Sequence, residues 1–180
     1  MPSRQTGTLS WLIRLDRWAF VRATQYRPNW LTDFVKWITG LGDTRAWVVV
    51  GIVCYFSGPE GQRLSALMAI GGLFSIIATN TLKFAVQRRR PFEVGYDRRL
   101  ISEPFGNSFP SGHSTQALTI TTAVALLYPA VALPLVSLGC AIAISRVYLG
   151  VHFPLDVVLG MILGFGLGHV AVGVLDLMLL

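Results

Sequence analysis

Long apolar segments that carry almost no charge dominate the chain from residue 64 onward. They cover residues 64–86, 112–127, 131–144 and 155–180. Only 13% of the residues are charged, whereas soluble domains average about 25%. The mean hydropathy of +0.57 also indicates an integral membrane protein. The sequence therefore predicts an all-α membrane bundle, and its length suits about five to six transmembrane helices of ~20 residues each.

The N-terminal part of the chain is more polar than the rest. Residues 1–29 are predicted to form a polar tail and an amphipathic helix, with Trp11, Leu15 and Trp18 on an apolar stripe. Such a helix lies in the membrane interface, unless it packs on the bundle as a first, unusually polar span. Residues 30–180 are predicted to form the membrane core, which begins with an amphipathic piece at 30–40 and a short apolar segment at 46–57.

Successive antiparallel spans would bring together charged residues that lie far apart in the sequence. If each span reverses the chain, the loop at 87–110, the start of the helix at 112, Arg146 and His152 all fall on one membrane face. We therefore expect one site, built from three separate segments, at that face.

The basic residues of this face favour a phosphate ligand. The net charge of +6 comes almost entirely from arginine, whose planar fork suits phosphate and lipid headgroups. Lys83 and Arg90 are seven residues apart, which predicts that both project from the same helical face. The alternative is a snorkelling lysine beside an arginine patch that binds headgroups. Because no soluble basic domain is evident, we do not expect a nucleic-acid partner.

The tetrapeptide Pro110-Ser111-Gly112-His113 is predicted to open a helix. The first N–H groups of a helix lack internal partners and bind anions well. Gly112 permits close approach of an oxyanion, and His113 is placed to give a proton to a leaving oxygen. Ser111 either adds a hydroxyl to the anion site or simply caps the helix.

Arg146, His152 and Asp156 form the third cluster. If a helix begins near Pro154, His152 and Asp156 share a face, and the carboxylate can orient one ring nitrogen and leave the other free as a nucleophile. Asp156 is also a candidate helix cap. No group of side chains has metal-ligand spacing, and the two cysteines are interpreted as packing residues, so we predict neither a metal nor another cofactor.

These three stretches resemble the type 2 phosphatidic acid phosphatase superfamily. Its pattern is K-x6-RP, then PSGH, then SR-x5-H-x3-D, and every spacing agrees with this sequence. The resemblance implies a metal-independent phosphatase in which His152 forms a phosphohistidine, Asp156 holds His152 and His113 protonates the leaving group. It also implies a set of groups that bind the phosphoryl oxygens: Lys83, Arg90, Ser111, the Gly112 N–H and Arg146.

The expected substrate is a lipid phosphate or diphosphate with its tail in the bilayer, such as a polyprenyl diphosphate or phosphatidate. A lipid phosphotransferase that uses the same intermediate, and a non-catalytic lipid-binding protein, are the alternatives. We expect an integral protein of the bacterial cytoplasmic membrane. The positive-inside rule favours a cytoplasmic site, but functional arginines bias that count, so the side stays open, as do the lipid and the oligomeric state.

Overall fold

The computed structural model describes residues 7–102 and 106–180, with side chains from Ser10 onward. Residues 1–6 of the predicted tail and 103–105 of the predicted loop lie outside this part. The described chain forms seven α-helices: α1 Gly7–Ala23, α2 Asn29–Gly40, α3 Thr44–Tyr55, α4 Pro59–Val86, α5 Gly112–Leu127, α6 Ala132–Tyr148 and α7 Pro154–Met178. Two 3-10 turns, Pro91–Val94 and Pro129–Val131, connect them. The all-α prediction is confirmed.

Helix α5 lies at the centre of the bundle and packs against α4, α6 and α7. Its residues from Ser114 to Ala123 are all buried. Three of its threonines, Thr115, Thr119 and Thr121, donate their hydroxyl protons to carbonyl oxygens one turn earlier in the chain, as Thr119 does to Thr115 at 2.8 Å. This internal pairing satisfies these three hydroxyls within the buried helix.

Glycines on α7 allow that helix to approach α5 closely. Gly160, Gly164 and Gly168 recur every fourth residue and therefore share one face. A Cβ atom at Gly160 would lie 3.0 Å from the Ser111 carbonyl oxygen, and one at Gly168 would lie 2.9 Å from that of Thr119. Small residues at such positions are a common device for packing membrane helices.

Three segments of the described chain are long and apolar enough to cross a bilayer: Pro59–Val94, Pro129–Tyr148 and Pro154–Met178. The apolar segment expected at 46–57 is helix α3, which has only 12 residues, and α5 has 16. Large apolar side chains on the long helices point outward, as Phe84, Leu133 and Ile162 do. The protein is thus an integral membrane protein.

Helix α1 packs on the bundle through a side that the predicted apolar stripe does not include. Asp16, Phe20 and Thr24 are buried, whereas Trp11 and Trp18 remain exposed. Phe20 joins a core cluster with Phe153 and other residues of α5, α6 and α7. The apolar stripe is therefore exposed on the outer side of α1. An interfacial position for this helix stays a prediction.

Candidate active site

The starts of α5 and α7 and the loop that follows α4 meet at one end of the bundle. The amide of Ser111, at the start of α5, donates to the Asp156 carbonyl oxygen in the first turn of α7 at 3.0 Å. The loop after α4 joins this end through the amide of Ser108, which donates to the Arg88 carbonyl oxygen at 2.7 Å. The segments that carry the three predicted motifs are therefore neighbours in space.

His152 occupies the turn between α6 and α7, and only 1% of its surface is exposed. Ser108 Oγ lies 3.2 Å from His152 Nδ1 and donates to Asp156 Oδ2 at 2.6 Å. Because Ser108 gives its only proton to the carboxylate, its oxygen accepts from Nδ1–H. The lone pair of the ring is then on Nε2. The chain thus holds His152 in the tautomer that a nucleophile needs.

Asp156 orients His152 through this serine rather than by direct contact. Its Oδ2 lies 3.8 Å from His152 Nδ1, which is too long for a hydrogen bond. The same oxygen accepts from the Phe153 amide at 2.9 Å, and Oδ1 pairs with Arg88 Nη1 at 2.6 Å. Helix α7 begins at Pro154 as predicted, and Asp156 both caps it and faces His152.

Burial lowers the pKa of His152 to about 4, and the positive charges of Arg90 and Arg146 add to this effect. Asp156 opposes the shift by stabilising the charged ring. The desolvation of a buried imidazole is the larger effect, so His152 is neutral at pH 7. A neutral ring with its lone pair on Nε2 is the form of histidine that can act as a nucleophile.

Arg90 and Arg146 are buried beside His152, at 3% and 1% exposure. Arg90 donates through Nε to the Gly106 carbonyl oxygen at 2.9 Å and through Nη1 to that of Val151 at 3.4 Å. Arg146 donates through Nη1 to the Thr39 hydroxyl of α2 at 2.8 Å. These bonds fix two guanidinium groups around the imidazole.

The prediction that Lys83 and Arg90 project from one helical face is wrong. Helix α4 ends at Val86, and Gln87 takes a left-handed conformation with φ of 49°. Arg90 then adopts an extended conformation before Pro91, as a residue that precedes proline prefers. A turn, rather than helical periodicity, brings Arg90 to the site.

Lys83, Gly112 and His113 line a polar cavity of about 170 Å³ at the start of α5. Ser111 is buried and caps α5, because its Oγ accepts from the Ser114 amide at 3.4 Å and from the Ser114 hydroxyl at 2.8 Å. These two bonds leave the Ser111 proton available to an acceptor. The structure therefore supports the capping alternative, and the anion-binding role of Ser111 stays a prediction.

An apolar groove of about 330 Å³ adjoins the polar cavity between α3 and α4. Trp47, Met68 and Leu73 are among its lining residues. Thr44, Ile76 and Gln116 line both spaces. A polar cavity and an apolar groove therefore adjoin at these three residues.

The sequence model of the PAP2 superfamily matches residues 63–176. The chain belongs to the PAP2 superfamily. Among curated proteins, it is 29% identical over 160 residues to a lipid A 1-phosphatase of Rhizobium etli, with 77% of this chain and 68% of the relative covered. It is 33% identical over 126 residues to a decaprenylphosphoryl-5-phosphoribose phosphatase of Mycobacterium tuberculosis, covering 69% and 68%.

The fold also agrees with a solved PAP2 structure. The PAP2-type phosphatidylglycerolphosphate phosphatase of Bacillus subtilis superposes with a TM-score of 0.77 at 26% identity, over 93% of this chain and 87% of that one. These comparisons confirm the predictions of the family and of a membrane lipid phosphatase. They also support the bacterial cytoplasmic membrane as its location.

Four residues that contact the PAP2 motifs did not stand out in the sequence. Ser108 and Arg88 lie within the motif region, and both bind Asp156. Asp16 and Asp43 precede the residues that the family model matches. None of the four had a usable signal in the sequence, because each contact depends on how separate segments pack.

Proposed function

We propose that the chain hydrolyses phosphate from a membrane lipid through a phosphohistidine on His152. In the first step, the His152 Nε2 lone pair forms a bond to phosphorus while the bond from phosphorus to the lipid oxygen breaks. His113 gives its proton to that oxygen, which leaves as the lipid alcohol or, from a diphosphate, as the lipid monophosphate. The observation that supports this assignment is the buried Ser108–Asp156 pair at His152 Nδ1, which leaves the lone pair of the ring on Nε2.

In the second step, water attacks phosphorus and the bond to His152 Nε2 breaks. His113, now neutral, takes a proton from the water, so that phosphate leaves and both imidazoles return to their initial states. Lys83, Arg90, Arg146, the Gly112 N–H and the Ser111 hydroxyl stabilise the negative oxygens during both steps. Phosphoryl transfer depends mainly on such positioning and charge stabilisation.

The proposed substrate lies across the two adjoining spaces. His152, Arg90 and Arg146 do not line the polar cavity, so we place the phosphate at the boundary between that cavity and these three residues, next to Lys83 and His113. The hydrocarbon tail lies in the groove between α3 and α4. Gln116 and Thr44, which hydrogen-bond to each other at 2.9 Å, contact the groups between phosphate and tail. The named relatives act on lipid A, on a decaprenyl phosphoribose and on phosphatidylglycerolphosphate, so these lipid classes are the first candidates.

A phosphate-release assay on the purified protein tests the proposal. The panel contains polyprenyl diphosphate, phosphatidate, phosphatidylglycerophosphate and lipid A, each with and without EDTA. We expect release from at least one lipid, insensitivity to EDTA, and loss of release in His152→Ala with unchanged thermal unfolding. Full activity of the folded His152→Ala protein would overturn the proposal, and an absence of release from every lipid would favour a non-catalytic lipid-binding protein.

Acceptor alcohols in the same assay separate hydrolysis from phosphotransfer. A hydrolase releases the same amount of inorganic phosphate whether or not the alcohol is present. A phosphotransferase converts the acceptor into a phosphorylated product at the expense of free phosphate.

A further inference from the structure

A buried aspartate in the N-terminal helix connects to the candidate active site. The Asp16 carboxylate is fully buried, although the arginines of the same helix, Arg14, Arg17 and Arg22, are exposed. Asp16 Oδ1 accepts from the Leu155 amide in the first turn of α7 at 2.8 Å. Its Oδ2 forms an ion pair with Arg88. A carboxylate buried in this way is stabilised only by such partners.

Arg88 lies between two carboxylates from opposite ends of the sequence. One terminal nitrogen binds Asp16, and the other lies 2.6 Å from Asp156 Oδ1. The guanidinium also lies over the ring of Phe153, at 4.6 Å from its centroid. Two bonds and a stacked ring hold this side chain in one orientation.

Asp156 depends on this arrangement for its own position. Arg88 fixes its Oδ1, which leaves Oδ2 for Ser108 and the Phe153 amide. Ser108 in turn holds His152 Nδ1. A continuous series of contacts therefore runs from Asp16 through Arg88, Asp156 and Ser108 to the nucleophile.

We propose that Asp16 is a positioning residue for phosphoryl transfer, which acts through Arg88 and the Leu155 amide to hold Asp156 and thereby His152. This inference rests on the proposed function of His152. Without the Asp16 charge, Arg88 keeps one carboxylate partner and the Phe153 ring, so its hold on Asp156 Oδ1 is weaker and the Asp156 carboxylate can shift about its contacts with Ser108 and the Phe153 amide. Helix α1, which precedes the matched family region, thus becomes part of the catalytic apparatus.

The experiment compares Asp16→Asn, Asp16→Glu and Arg88→Gln with the unchanged protein in a phosphate-release assay. We expect Asp16→Asn to lower kcat by about 10- to 100-fold, the range that a small misplacement of reacting groups produces. KM should change less than about twofold, because Asp16 does not contact the substrate. Asp16→Glu, which keeps the charge, should recover part of kcat. The double variant that combines Asp16→Asn with Arg88→Gln should have a kcat no lower than that of Arg88→Gln alone.

The control variant Phe20→Leu weakens the packing of α1 at a neighbouring buried position without removing a charge. Thermal unfolding of every variant is measured alongside kcat. If Asp16 only docks the helix, Asp16→Asn and Phe20→Leu will lower kcat alike at equal loss of stability, and the proposal is overturned. An unchanged kcat for Asp16→Asn, with His152→Ala inactive, would overturn the role of Asp16 alone. An active His152→Ala protein would instead overturn the proposed function, and this inference with it.

Discussion

The Nε2 atom of His113 lies 2.8 Å from the Oδ1 atom of Asp43, a residue 70 positions earlier in the chain. Asp43 immediately precedes α3, and His113 is in the first turn of α5. A carboxylate at this distance stabilises the protonated imidazole. The candidate proton donor and the candidate nucleophile thus each have an acidic partner, and the two partners come from different parts of the sequence.

Replacement of Asp43 by asparagine is expected to weaken His113 as a proton donor. The carboxylate that favours the charged ring is lost, so the alkaline limb of the pH–rate profile should move to lower pH. Because Asp43 is mostly exposed, kcat at pH 8 should fall only by about threefold. Steady-state kinetics from pH 5 to 9 measure both effects. Asp33→Asn, at an exposed position in α2, is the matched control. An unchanged alkaline limb in Asp43→Asn would show that the pair has no catalytic importance.

The acidic limb of the same profile is expected near pH 4. His152 must be neutral to attack phosphorus, and its pKa is lowered to about 4 by burial. The rate should therefore fall only as the pH drops through that value, whereas an ordinary histidine would lose activity below about 6.5. The measurement is kcat/KM against pH in detergent, with circular dichroism to verify folding. A limb near 6.5 in folded protein would contradict the buried, neutral state of His152.

A leucine at Gly51 is expected to obstruct the apolar groove. Gly51 lines that groove, and the nearest atom to an added Cβ, Ser65 Oγ, would be 3.9 Å away, so the backbone accepts a side chain there. Because the leucine occupies the space of several methylene groups, kcat/KM for a long-chain substrate should fall by at least about tenfold. A short-chain analogue should be hydrolysed almost normally.

The matched control for the groove is Gly166→Leu, since an added Cβ at Gly166 of α7 meets no atom within 4 Å. Both variants are assayed with dioleoyl and dihexanoyl phosphatidate. If Gly51→Leu affects the two lipids equally, the tail lies elsewhere.

Alanine at Gly164 is expected to destabilise the bundle. An added Cβ would overlap the Thr115 carbonyl oxygen and lie 2.9 Å from Leu118 Cβ. Helices α5 and α7 would have to separate, which should lower the free energy of unfolding by about 1–3 kcal/mol. Thermal unfolding in detergent measures the change. Gly173→Ala, where an added Cβ meets nothing within 4 Å, should leave the midpoint almost unchanged or raise it, because glycine is unfavourable within a helix.

The sequence indicated the membrane helices and the motif residues because both signals are local. Hydropathy located α4 to α7 to within a few residues, and the PSGH tetrapeptide marked the start of α5 correctly. The C-terminal end of α4 was harder to predict, because the segment from Gln87 to Arg90 contains no glycine or proline. Pro91 gave the only local sign that Arg90 could not remain helical.

Pairings between distant residues had no comparable signal. Asp16 and Leu155 are 139 positions apart, and Thr39 and Arg146 are 107 positions apart. Such contacts depend on how the helices pack, and helical periodicity says nothing about that. Ser108 was missed for a related reason: a serine in a loop is common, and only the geometry shows that it connects His152 to Asp156.

The enclosure of α5 by its neighbours has a consequence for the response of the protein to its membrane. With 16 residues, α5 is about 24 Å long, several ångströms less than the roughly 30 Å of a typical hydrocarbon layer. A lipid-exposed helix of that length would thin the bilayer or tilt its neighbours. Because α4, α6 and α7 cover all but the ends of α5, hydrophobic mismatch acts mainly on those three helices. The helix that begins at Gly112 and His113 is thereby insulated from changes in membrane thickness.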